Sequence, residues 1–80
     1  MTTKFARILD NDIYTRKAVA EAQVTFKEYC IVKATPAGSG QVELAFKIDA
    51  AHEDKAQKIV LEFLNYTLDR SIQLDLEGAE

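Results

Sequence analysis

The chain predicts an α+β fold: one domain over residues 1–80, a two-layer sandwich with two helices on one face of an antiparallel sheet. Three observations carry this. Residues 41–49 alternate apolar and polar side chains without a break, the period of a strand with one covered face. Residues 36–40, PAGSG, hold the only proline and two of the three glycines, which marks a tight turn. Residues 51–70 carry the longest helical periodicity in the chain. Eighty residues suffice for one domain with a modest core, and a core that small gains from oligomerisation.

The elements follow in order. Residues 1–3 read as a loose end. Residues 4–9 form a first strand with Phe5, Ile8 and Leu9 apolar. Asp10, Asn11 and Asp12 end it, because their side chains bond their own backbone. Thr15 is a helix N-cap, with Tyr14 and Val19 at the two positions of a hydrophobic staple. That helix is expected to run to about Tyr29, burying Val19, Ala22, Phe26 and Tyr29.

Residues 30–35 form a second strand, with Cys30, Val32 and Ala34 on one side and Ile31, Lys33 and Thr35 on the other. The PAGSG turn joins it to a third as a hairpin. In the third strand Val42, Leu44, Phe46 and Ile48 point inward; a one-residue slip would expose all four.

In the long helix over 51–70, Ala56, Ile59, Val60, Phe63 and Thr67 share one face. His52, Glu53 and Asp54 fall in its expected first turn, and the two acids suit the positive helix pole. Leu61, Leu64 and Leu68 make a second stripe, widening the apolar arc to roughly twice the ~100° that one contact needs. This stripe packs on a neighbouring helix of the chain or faces a second subunit or partner, so these leucines form the candidate interface. Residues 71–77 alternate again, with Ile72, Leu74 and Leu76 on one side. They read as a short last strand, or as a continuation of the helix. Residues 78–80 read as a frayed end. The order is therefore β-α-β-β-α-β, the size of a ferredoxin-like unit, with Ile31, Ala45 and one side of the first strand on an uncovered sheet face.

Composition bounds the function. The net charge is −3, with six basic and four acidic residues in 1–40 against four and nine in 41–80. The acidic second half repels phosphate, so no nucleic-acid partner is expected. No apolar run approaches the ~20 residues of a membrane span, and residues 1–12 do not read as a secretory signal. A cytoplasmic location is the expectation.

Chemistry-bearing residues are sparse. His52 is the only histidine and Cys30 the only cysteine, too few for a metal site. His52 reads as a solvated helix-start residue and Cys30 as a small core residue. Asp10 and Asp12 have the spacing that opens a calcium loop, but lack its glycine and distal glutamate. No carboxylate pair converges for acid–base work. The expectation is a protein without catalytic residues, metal or cofactor.

One resemblance adds to this reading. Ile13-Tyr14-Thr15 leads into a helix with Ala18, Ala22 and Phe26. A hairpin follows, and then Glu62-Phe63-Leu64-Asn65-Tyr66-Thr67-Leu68-Asp69-Arg70. This pattern resembles HxsD, a family of small proteins of the His-Xaa-Ser system, through Tyr14, Phe63, Asn65, Leu68, Asp69 and Arg70. Such proteins are accessories to radical-SAM enzymes that modify ribosomally made peptides. The resemblance implies a non-catalytic role: binding a precursor peptide or a maturase, with a homodimer expected. Mid-helix Asn65 needs a polar partner if buried and none if it faces water. Two rival expectations stand beside it. One is a ferredoxin-like small-molecule-sensing or dimerisation domain; the other is an enzyme with a dimer-built site using Tyr14, Tyr29 or His52.

Overall fold

The computed structural model describes residues 3–78. The elements are β1 (Thr3–Asp10), α1 (Arg16–Thr25), β2 (Cys30–Gly38), β3 (Gln41–Ile48), a 3-10 segment (Ala50–Lys55) and α2 (Ala56–Gly78). The sheet order is β1-β3-β2 and both pairings are antiparallel. β1 and β2 thus point the same way with β3 inserted between them, a split β-α-β unit closed by α1. The result is a small α+β domain with a three-stranded antiparallel sheet and two α-helices.

Local sequence explains the starts and stops. Asp12 N–H donates to Asp10 Oδ1 at 2.9 Å, the side-chain turn that ends β1. Thr15 has extended φ/ψ and caps α1, its Oγ1 accepting from Ala18 N–H at 3.2 Å. Val19 is buried and Tyr14 packs against the same core, as a staple requires. α1 ends at Thr25, earlier than expected. Phe26 leaves helical geometry and its carbonyl accepts from Tyr29 and Cys30 N–H, so Tyr29 lies in the connection to β2 and is exposed. Gly40 turns the hairpin at φ 73°, a backbone region that favours glycine. β2 runs three residues further than expected, to Gly38, with a register shift between Pro36 and Gly38.

Two expectations about the second half are corrected. The long helix begins at Ala56, not Ala51. Asp49 caps residues 50–55 into a tighter turn, accepting from Ala51 N–H, and His52 sits at φ −120°, ψ 15°, outside helical geometry. The fourth strand over 71–77 does not form; this stretch is the last third of α2. Ser71 and Leu74 extend the Phe63–Thr67 spacing by four and three residues, the helix period, whereas Ile72 and Leu76 are exposed. The Thr67 and Ser71 hydroxyls donate to the Phe63 and Thr67 carbonyls at 2.8 Å. Ser71 Oγ also accepts from Thr15 N–H at 2.9 Å, fastening α2 to the start of α1. Of the loose ends expected from sequence, Thr3 belongs to β1 and Gly78 to α2; residues 1, 2, 79 and 80 lie outside the described ones.

The core lies between sheet and helices. Leu44, Phe46 and Ile48 of β3 meet Val19 and Ala22 of α1 and Ile59, Val60 and Phe63 of α2. Phe63 is its centre. Its ring is 5.1 Å from Phe46 at 88° and 5.4 Å from Phe26, separations at which edge-to-face contact adds to burial. Among the described residues no helix is long and apolar enough to cross a membrane.

Candidate functional site

The leucine stripe lies on the outer flank of α2. Tyr66 and Arg70 mark the inner flank. Tyr66 meets Phe26 edge to face at 5.9 Å, and Arg70 Nη2 reaches Glu21 at 3.1 Å. At 3.6 residues per turn, Leu64, Leu68 and Leu61 project from the side away from α1. Leu64 and Leu68 are half-buried and Leu61 is 59% exposed. α1 sits over β2, since Gln23 Nε2 donates to the Val32 carbonyl at 2.8 Å. The leucine flank therefore overhangs the other side of the sheet, beside β1. A groove of about 520 Å³ lies nearer the start of α2, between Thr3 and Phe5 of β1 and residues 53–58, and none of the three leucines lines it.

The hydrogen-bond phase of β1 follows from one contact beyond it. Asn11 N–H donates to the Gly40 carbonyl at 2.9 Å, continuing the register in which Asp10 faces Gln41. Alternate residues of an antiparallel strand bond the neighbour. Thr3, Phe5, Arg7 and Leu9 thus bond β3, and Lys4, Ala6, Ile8 and Asp10 turn their backbone groups outward. Two outward carbonyls are occupied: Asp10 accepts from Ile13 and Tyr14 N–H, and Ala6 from Arg7 Nη1 at 2.8 Å. The Arg7 guanidinium also lies 5.7 Å from the centre of the Phe5 ring.

The outer edge of β2 is obstructed. The same parity, fixed by Asp49 N–H to the Tyr29 carbonyl, turns Cys30, Val32, Ala34 and Pro36 outward. Cys30 N–H is taken by Phe26, the Val32 carbonyl by Gln23, and Pro36 has no N–H.

The uncovered sheet face is polarised in rows. Lys4, Lys47 and Ile31 form one row; Ala6, Ala45 and Lys33 the next; then Ile8, Glu43 and Thr35; then Asp10 and Gln41. Ile31 is 68% exposed.

The remaining sequence candidates separate. Asn65 and Asp69 are exposed, so Asn65 needs no buried partner. Arg70 lies in mid-helix rather than near the helix end. It bonds Glu21 and Gln73, and its buried Nε has no acceptor among the described residues. The Arg70–Glu21 pair is partly exposed, and such pairs contribute about 0–1 kcal/mol. His52 packs edge-on against Tyr29 at 5.1 Å; it is half-buried rather than solvated. Tyr14 lines a separate hollow of about 350 Å³ with Arg16 and Gln41, so Tyr14, Tyr29 and His52 share no one site. Cys30 is buried, and burial pushes its thiol above the ordinary value of 9.0, opposite to the activation a nucleophile requires. No group of three metal-ligating side chains occurs among the described residues.

Sequence reasoning named the leucine flank but not Arg7 or the outward groups of β1. Their signal was indirect: if 71–77 continue the helix, β1 has one neighbour instead of two. Comparison with protein-family models, curated proteins and solved structures finds no match to this chain.

Proposed function

We propose that this chain is a non-catalytic interaction protein of the HxsD kind. It assists a radical-SAM system that modifies ribosomally made peptides by binding the precursor peptide or the maturase. The observation that supports this best is the leucine flank of α2 standing beside an unpaired strand edge. Apolar side chains and unpaired backbone groups on one rim favour a macromolecular partner. Tyr14, Phe63, Asn65, Leu68, Asp69 and Arg70 carry the family resemblance. Of these, Leu68 belongs to the flank, while Phe63 and Tyr14 serve packing. A tagged chain incubated with the maturase and precursor encoded beside it is expected to retain at least one of them. Retention of neither would remove the reading.

A second reading is a ferredoxin-like dimerisation domain, supported by the rows of the open sheet face. A two-fold axis across the strands would set Lys4 over Asp10 of a second copy and Lys33 near Glu43 of that copy, with Ala6 over Ile8. Opposite charges so placed fix register in an interface. The face is about 26 by 14 Å at ordinary strand spacings. That is smaller than the ~800 Å² per partner of stable complexes, so the dimer expected is weak. Sedimentation over rising concentration would show it, and Glu43→Lys would abolish it. A variant that associates as the parent does would remove this reading, and a thermal shift with a metabolite would favour small-molecule sensing instead.

A further inference from the structure

We infer that β1 accepts an extended peptide as a fourth strand, seated under the Leu61, Leu64 and Leu68 flank of α2. The inference rests on the binding role proposed above and names the form of the partner. Three independent features converge on it.

The first is width. Two packed helices span about 20 Å at ~8–10 Å between axes. Three strands at 4.7–4.9 Å span about 14 Å, and four about 19 Å. The sheet is one strand too narrow for its helix layer. The shortfall lies on the β1 side, where Leu61 stands 59% exposed.

The second is hydrogen bonding. The outward N–H groups of Lys4, Ala6, Ile8 and Asp10 and the carbonyls of Lys4 and Ile8 match one antiparallel partner strand. The opposite rim is interrupted at Cys30 N–H, the Val32 carbonyl and Pro36, so β1 offers the more continuous edge.

The third is Arg7. Its guanidinium occupies the Ala6 carbonyl at 2.8 Å, which guards the edge in the free protein. An arriving strand takes that carbonyl and frees the guanidinium on the helix side of the sheet. A carboxylate there would pair with it. The peptide expected is extended, apolar at alternate positions facing the leucines, and acidic at the position beside Arg7.

The occupant is a lone strand rather than a second copy. With α2 above β1, pairing two β1 edges at the ordinary 4.7–4.9 Å strand spacing would leave the two α2 axes about 5 Å apart, half of what helix packing needs.

The test uses the 80-residue protein and a blocked heptapeptide alternating valine and threonine, with glutamate replacing valine at its fifth position. Peptide binding should slow amide exchange at Lys4, Ala6, Ile8 and Asp10, with Val32 and Ala34 unchanged. Ile8→Pro should fold, because that N–H faces outward on an edge strand, and should weaken binding at least tenfold. Arg7→Glu should weaken it and be rescued by a peptide with lysine at the fifth position. Protection confined to β2 or the open face, parental binding by a folded Ile8→Pro, or no protection at millimolar peptide would overturn the inference. Protection of β1 that grows with protein concentration alone would instead assign the edge to a second copy and overturn it too. The heptapeptide carries nothing of any natural partner, so this result is separate from the maturase test. If a folded Ile8→Pro binds the heptapeptide as the parent does while the parent retains the maturase, the proposed function stands and the strand inference falls.

Discussion

Ser71 joins the start of α1 to the body of α2 with one hydroxyl, accepting from Thr15 N–H and donating to the Thr67 carbonyl. Ser71→Ala removes both bonds and leaves a part-buried N–H without its acceptor. The expected loss is about 1–2 kcal/mol in unfolding free energy, measured by urea denaturation. Phe63→Ala should cost about 3–5 kcal/mol, as buried aromatic truncations do. Cys30 gives a pH prediction. Burial raises its thiol above 9.0, so the unfolded chain ionises first. The stabilisation is complete below pH 9 and is lost as pH climbs through the folded value. Unfolding midpoints should therefore drop above pH 9, and Cys30→Ala should flatten that part of the curve. Native protein should also resist thiol alkylation at pH 7. The core role of Cys30 was legible from sequence, since it follows from its position in a short periodic pattern; the setting of Asn65 was open between burial and water, and the helix turns it outward. Ser71 was not. A serine gives no apolar signal, and its value lies in a bond to a residue 56 positions away.

At the scale of elements, local chemistry was legible and helix ends were not. The β3 alternation, the PAGSG turn and the Thr15 cap appear in the fold as the residues demand. Thr15→Ala should cost about 1 kcal/mol by urea denaturation, the usual worth of an N-cap. The termini of α2 went astray for two reasons. An Asp49 cap diverts residues 50–55 into a tighter turn. At the other end, residues 71–77 fit both a period of two and a period near 3.6, and hydroxyl back-bonding with α1 contact decides for the helix. The leucine flank divides the same way. Leu61→Asp should change stability by less than about 0.5 kcal/mol, as exposed substitutions do, and Leu64→Asp by about 1–3 kcal/mol. Equal losses from both would place Leu61 in the core.

The whole molecule measures 45 × 24 × 16 Å. Its long axis reflects α2, whose 23 residues span about 34 Å at 1.5 Å each. The order of layers was legible in the sequence. The strand count was not, because it depends on residues 71–77 choosing between two periods. That choice leaves the two rims of the sheet unlike each other, one interrupted by Gln23 and Pro36 and one open along β1. A filament of stacked strands needs every unit to be adhesive on both sides. This protein offers an uninterrupted rim on one side only, so a strand that adds to it terminates the growth it begins, and crowding should yield no fibres.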